Sequence, residues 1–199
     1  MITDIVFDLG GVLVDWNPVY FYNKVFDTRD KVDYFLNHIC TFEWNAAQDG
    51  GRTIREANDF LIGKHPEHAK EITMYYQHWE EMFSGEITGT VNILKNLLAQ
   101  NNHGVYALTN WSAETFPRAR KLFPFFNDFH GIVVSGEEKL MKPDRKIYEV
   151  LISRFDLVPE KTVYIDDSLP NVKAAEEIGF KAFHFKGPGE LKTFLDEVL

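Results

Sequence analysis

The sequence predicts an α/β protein in which a parallel sheet, covered by helices on both faces, is interrupted after its first strand by a block made only of helices. Three observations carry that prediction. The chain opens on a short run of branched and aromatic residues, Ile2 to Phe7, without polar alternation, as expected of a strand buried on both faces. Residues 17–84 show helix caps and helical apolar spacing with no strand-like stretch among them. From about residue 85 onward, short apolar runs alternate with amphipathic segments, the rhythm of successive βα units.

Taken in order, the first strand ends at Asp8, which Leu9, Gly10 and Gly11 follow. Asn17 can cap a helix with Pro18 at its first position, and Thr28 can start a second that runs to about Cys40. Thr53 and Glu56 have the spacing of a capping box for a third helix, which Gly63 ends. Pro66 opens a fourth, whose Ile72, Tyr75, Tyr76, Trp79 and Phe83 recur at helical spacing. After Ser84 and Gly85 come a helix marked by Val91, Leu94, Leu97 and Leu98, a strand at Val105 to Thr109, a helix capped by Ser112, and a strand at Gly131 to Val134. A helix with Ile147, Val150 and Leu151 inward, a strand at Thr162 to Ile165 and a helix from Pro170 to Gly179 follow. A strand at Lys181 to Phe185 and a helix with Leu191, Phe194, Leu195 and Val198 finish the chain. The expected division is a core of residues 1–15 and 85–199 with a helical insert of residues 16–84.

Composition narrows the function. The 199 residues, 45% of them hydrophobic, are enough for one core with a small insert. Thirty acidic against 21 basic residues give a net charge of −9, the wrong sign for a sequence-independent nucleic-acid binder. An anionic ligand therefore needs locally placed cations. Cys40, the single cysteine, excludes a disulfide within the chain and a multi-cysteine zinc site. No apolar run nears the roughly 18 residues of a membrane span, and no basic segment precedes the first strand. A cytoplasmic protein with no membrane or nucleic-acid partner is expected.

Four features at strand ends or helix starts can carry chemistry. Asp8 is an ionisable residue set in an apolar run, which is costly unless something pairs with it; the alternative is an aspartate that caps a turn. Thr109 and Asn110 offer a hydroxyl and an amide that can donate to phosphate oxygens, or serve as turn residues. Lys142 precedes Pro143 near a helix start, where a cation meets the positive end of the helix dipole; it is either functional or a solvated surface lysine. Asp166 and Asp167 are adjacent carboxylates that repel one another unless a cation or a helix N-terminus offsets them. If these strand ends converge, the carboxylates of Asp8, Asp166 and Asp167 call for a hard cation, and Mg2+ fits because it takes few protein carboxylates and binds substrate phosphate.

The segments FDLGGVL, LTN, KP and YIDDSLPN occur in that order, and with them the chain resembles the haloacid dehalogenase superfamily of aspartate-nucleophile hydrolases. The resemblance spans nearly the whole chain and implies a Rossmann-like core with a helical cap inserted after the first strand. It also implies roles: Asp8 as nucleophile, Thr109 and Asn110 on phosphate, Lys142 steadying nucleophile and phosphate, and Asp166, Asp167 and the Gly10 carbonyl serving magnesium.

One position departs from the pattern. Phosphatases of the superfamily carry a second aspartate two residues after the nucleophile as general acid and base, and here that position is Gly10. Loss of such a group costs about 10²- to 10⁴-fold in rate. Bacterial sugar-phosphate phosphatases resembling the glucose-1-phosphate type share the aspartate-leucine-glycine motif and the acidic pair, so a small phosphorylated metabolite, a sugar phosphate, is the expected substrate. An acidic leaving group would need less protonation, and activity is expected to fall as leaving-group pKa rises; Asp15 could substitute for the missing acid, its other reading being a polar residue at the hinge of the insert. The alternatives are a metal-independent 2-haloacid dehalogenase and a silent phosphate-binding protein. Trp16, Tyr20, Trp44 and Arg52 in the helical insert are candidates for substrate contact, packing inside the insert being the other reading of the aromatic ones. A monomer or weak homodimer is expected.

Overall fold

A computed structural model describes residues 1–199. The first strand, β1 (Asp4–Phe7), leads through a tight turn into a second short strand, β2 (Val14–Trp16). Five helices follow: α1 (Val19–Val25), α2 (Arg29–His38), α3 (Phe42–Asp49), α4 (Ile54–Lys64) and α5 (Ala69–Gln77). β3 (Phe83–Glu86) then returns antiparallel to β2, so the five helices hang from the two strands of one ribbon. Alternation sets in with α6 (Thr88–Gln100), β4 (Gly104–Thr109), α7 (Phe116–Leu122), β5 (Gly131–Val134), α8 (Ser135–Glu138) and α9 (Arg145–Phe155). It continues through β6 (Thr162–Asp166), α10 (Leu169–Ile178), β7 (Lys181–His184) and α11 (Pro188–Val198).

Five strands form a parallel sheet in the order β5-β4-β1-β6-β7, the α/β class read from the sequence. β1 is central, with Asp4 opposite Gly104 on one side and Thr162 on the other. The chain moves outward from β1 through β4 to β5 and then crosses back to β6, so the strand order reverses beside β1. A crevice opens at such a switch point, outside the carboxyl ends of the strands.

β1 shows why the first strand lacks alternation. Ile5 and Phe7 enter one apolar cluster with Val91 and Leu94 of α6, Leu191 and Leu195 of α11, and the helical block. Val6 enters the opposite cluster with Leu108, Tyr164 and the α9 residues Ile147, Tyr148 and Leu151. Both faces demand apolar side chains, so a period-2 pattern has nothing to encode.

Local departures from the sequence expectation have local causes. α3 fills what reads as a gap, started by the Thr41 hydroxyl, which accepts from the Trp44 N–H at 3.2 Å. α4 begins with the expected capping box at Thr53 and Glu56 but runs through Gly63, which keeps ordinary backbone angles, to Lys64. The next helix ends at Gln77, leaving Trp79 in a 3-10 turn and Phe83 in β3. Ser112 caps no helix; its hydroxyl accepts from the Glu114 N–H in a turn, and α7 starts at Phe116. No helix is long and apolar enough to cross a membrane.

Candidate active site

The carboxyl ends of β1, β4 and β6 meet at a cavity of about 460 Å3. Asp8 is anchored by its own N–H, which donates to the Ile165 carbonyl at 2.8 Å. Its Oδ1 accepts from the Leu9 N–H at 2.7 Å and lies 3.0 Å from Lys142 Nζ. Its Oδ2 has no hydrogen-bond donor from the chain, and Asp8 lines the cavity. Burial is the largest influence on this carboxyl and, with Asp166 and Asp167 adding to it against Lys142, pushes it up to about 7.

Lys142 is buried, not solvated. Its Nζ donates to the Leu108 carbonyl and to Asp166 Oδ2, both at 2.8 Å, while Asp144 takes the capping position of α9. Burial alone favours the neutral amine, but Asp166 and Asp8 outweigh it and hold the ammonium form. The lysine therefore bridges two carboxylates from neighbouring strands.

The adjacent pair divides its tasks. Asp166 is wholly buried: Oδ2 accepts from the Tyr164 hydroxyl at 2.7 Å as well as from Lys142, and Oδ1 accepts from the Ser168 N–H at 2.8 Å. Asn171 Nδ2 lies 3.1 and 3.2 Å from its two oxygens. Asp167 faces the cavity. Burial first, and then Asp166, raise its carboxyl. The sequence reading gives both to the metal with Asp167 the more direct ligand; here Asp166 accepts from four donors of the chain and holds Lys142 and Asn171 in place, while Asp167 is the one that faces the cavity.

One oxygen from each of Asp8, Asp166 and Asp167 lies within 4.8 Å of the others. All-oxygen donors carrying excess negative charge fit a hard divalent cation, and magnesium meets the requirement for few protein carboxylates with room left for water and phosphate. Gly11 belongs to this fit. Its φ is +72°, and a Cβ there would come within 2.3 Å of Asp167 Oδ2.

Thr109 and Asn110 both line the cavity. The Asn110 side chain is largely engaged elsewhere, with Oδ1 accepting from the Lys142 N–H at 2.9 Å and Nδ2 donating to the Lys142 carbonyl at 3.0 Å. It clamps the lysine's backbone, a role that the sequence does not foretell.

A sequence model of the haloacid dehalogenase-like hydrolases matches residues 4–179. The chain belongs to this family. It is 27% identical to the sesquiterpene phosphatase of Aspergillus oryzae over 90% of this chain and 87% of that one. It is also 26% identical to the phosphorylated carbohydrates phosphatase of Thermotoga maritima, over 90% and 83%. In structure it is similar to a haloacid dehalogenase family enzyme of Bacteroides thetaiotaomicron solved in complex with magnesium and inorganic phosphate. That likeness has a TM-score of 0.72 at 24% identity and covers 94% of this chain and 96% of that one.

In this hydrolase the far wall of the cavity comes from the helical block, with Trp16, Phe42, Tyr76 and Trp79 presenting aromatic surface and Asn45 a polar group. Of the four expected insert residues only Trp16 lies on the cavity. Trp44 is buried with its indole N–H donating to the Ala57 carbonyl at 3.2 Å, because the start of α3 must seal against α4. Arg52 is turned back to Gln48 Oε1 and the Trp44 carbonyl, at 2.7 and 2.8 Å, satisfying the end of α3 instead of facing a ligand. Tyr20 donates to Asp15 Oδ2 at 2.8 Å, and Ser84 donates to the same oxygen at 2.6 Å. That places Asp15 in the β2–β3 ribbon and off the cavity.

Sequence reasoning missed Asp49. It is the last residue of α3, lines the cavity, and is raised to about 7 by burial, with a backbone N–H from Ser112 opposing the rise. The signal available was a carboxylate directly before the turn-forming Gly50 and Gly51.

Proposed function

We propose that this hydrolase is a magnesium-dependent phosphatase that cleaves a small phosphorylated metabolite, a sugar phosphate, through an aspartyl-phosphate on Asp8. The observation that carries the reading is the Lys142 ammonium seated between Asp8 and Asp166, beside Asp167, at the carboxyl end of β1. Residues 16–84 act as the cap that closes over the substrate.

In this reading Asp8 Oδ1 is held by Leu9 and Lys142, which leaves Oδ2 as the oxygen that attacks phosphorus. Lys142 keeps the carboxylate oriented and offsets charge on the transferred group. Thr109 supplies a hydroxyl at the end of β4, and Asn110 fixes the lysine's backbone. Asp8, Asp167 and the Gly10 carbonyl would hold magnesium, which when bound neutralises carboxylate and phosphoryl charge. A metal-independent dehalogenase has no need of the cavity-facing Asp167, and that argues against the haloacid alternative.

The aromatic wall favours a second reading of the substrate. Trp16, Phe42, Tyr76 and Trp79 can stack on a sugar, but they suit equally a hydrocarbon alcohol phosphate, and a sesquiterpene phosphatase is among the relatives. The test is a panel of sugar phosphates, isoprenoid phosphates and 2-haloacids, with and without magnesium, beside Asp8→Asn. Phosphate release that requires magnesium and vanishes in Asp8→Asn is expected. Release that survives in Asp8→Asn, or halide release without metal, would overturn the reading.

A further inference from the structure

The cavity lacks the family's second aspartate, yet the space for it is open. A Cβ built on Gly10 meets nothing within 4 Å, and Gly10 does not take a left-handed φ, so its side chain was not excluded by crowding. A group that protonates the leaving oxygen must then come from elsewhere on the cavity wall.

Few candidates line it. Asp8 and Asp167 are committed to attack and metal, and Asp166 is enclosed by its four partners. Lys142 is fixed between two carboxylates, and burial pushes the Tyr76 hydroxyl well above its usual range. No histidine or glutamate lines the cavity. Asp15, the substitute considered from the sequence, is held in the ribbon by Tyr20 and Ser84. That leaves Asp49.

We propose, resting on the phosphatase reading, that Asp49 of the helical block supplies the general acid and base that Gly10 leaves out. Its position is fixed from the sheet side although its helix belongs to the insert. The Asp49 carbonyl accepts from the Ser135 hydroxyl at 2.6 Å, and that hydroxyl accepts in turn from the Trp111 N–H at 2.8 Å. Gly50 packs on Met141, where a Cβ would sit 3.2 Å from its sulfur, so the end of α3 is seated against the loop that carries Lys142. The titratable groups whose charge reaches the Asp49 carboxyl are Asp8 after β1 and Tyr75 and Tyr76 from α5, none of them cationic. Burial in that company keeps the acid form available up to about pH 7.

Asp8 Oδ2 bonds to phosphorus and the ester P–O bond breaks, its electron pair passing to the leaving oxygen, which takes the proton of the Asp49 carboxyl and departs as an alcohol. Asp49, now ionised, takes a proton from water as the water oxygen bonds to phosphorus. The P–O bond to Asp8 then breaks, releasing hydrogen phosphate with both carboxyls restored.

The experiment is pre-steady-state cleavage by the magnesium-loaded protein, with ester limiting and then in excess, of two esters that differ in leaving group, an alkyl sugar phosphate and p-nitrophenyl phosphate. Wild type, Asp49→Asn, Asp49→Glu and Asp49→Asn with Gly10→Asp are compared. Nitrophenolate leaves without a proton, so Asp49→Asn is expected to slow alkyl-ester cleavage by about 10²- to 10⁴-fold while changing the first nitrophenyl turnover by less than about 10-fold. A nitrophenolate burst followed by slow turnover is expected in that variant, because the base for dephosphorylation is also lost. Asp49→Glu, or an aspartate at position 10 in the Asp49→Asn background, should restore part of the alkyl activity, which a merely misfolded variant would not show. Equal losses on both esters, or no loss on either, would overturn the assignment of Asp49 alone. A wild type that cleaves neither ester nor any of the wider panel overturns the phosphatase reading and this proposal together.

Discussion

The sheet side and the helix side of the cavity handle polar groups differently. At the strand ends, Asp166 accepts from Lys142, Tyr164, Ser168 and Asn171, and Lys142 in turn touches Asp8, Asp166 and the Leu108 carbonyl. Across the cavity the wall is mainly aromatic, with Phe42 largely exposed and Asp49 the one carboxylate. Preorganised charge in a water-poor site is worth most where charge develops during reaction, so that side must be rigid. Binding an organic group needs shape and apolar surface, which a lid can vary without disturbing the chemistry.

That contrast can be broken by substitutions taken in order of expected size. Asp8→Asn should lower phosphate release by several orders of magnitude while leaving the fold intact, measured by turnover and by thermal melting. A loss of less than tenfold would mean the sheet side does not carry the chemistry. Lys142→Met should cost about 3–5 kcal/mol in urea denaturation, because it leaves Asp8 and Asp166 buried without their cation. An unchanged midpoint would show that the carboxylates find other partners.

Tyr164→Phe removes a single donor to the buried Asp166 and should cost about 1.5–3 kcal/mol, again by urea denaturation. Phe42→Ala on the opposite wall is expected to raise KM with little change in kcat and to move stability by no more than about 0.5 kcal/mol. If kcat falls and KM does not, the helix side takes part in more than substrate holding.

A separate comparison concerns pH. In the folded protein Asp49 keeps its proton up to about 7, whereas in the unfolded chain it loses it near 4. Between those values the folded state binds more protons, so stability falls as pH rises through the window. Melting midpoints of metal-free protein should therefore be lower at pH 7.5 than at pH 5, and Asp49→Asn should shrink the difference. Asp8, raised to the same value, adds the same sign, so part of the slope should survive the substitution.

What the sequence revealed follows the strength of the physical signals. β1 and β6 are short apolar runs closed by carboxylates, and burial on both faces makes them unmistakable in composition. The convergence of Asp8, Thr109 and Asp167 on the cavity was legible because strand ends in a parallel sheet converge, and Lys142 was legible as a cation placed against the rule at a helix start. The β2–β3 ribbon was not, because strands of three and four residues with mixed burial carry too little periodicity to register. α3 went unread for a related reason, being eight residues long with only Trp44 and Gln48 buried, and Asp49 at its end went with it. Trp44 and Arg52 show the converse: residue types suited to ligands were needed to seal one helix against the next.

The ribbon also bears on how the chain finds its fold. β1 pairs only with strands far along the chain, Asp4 lying opposite Gly104 and Thr162, and contacts of such long sequence separation slow folding. Once β2 and β3 meet, with Asp15 accepting hydrogen bonds from Tyr20 and Ser84, the helices between them no longer count toward the distance that β1 must close to reach β4. Loop closure grows only with the logarithm of length, so this shortcut lowers the entropic cost of pairing β1 with β4 by about 1 kcal/mol. The two strands that suspend the helices thus also let a large insertion sit beside the central strand while adding little to the search for its partners.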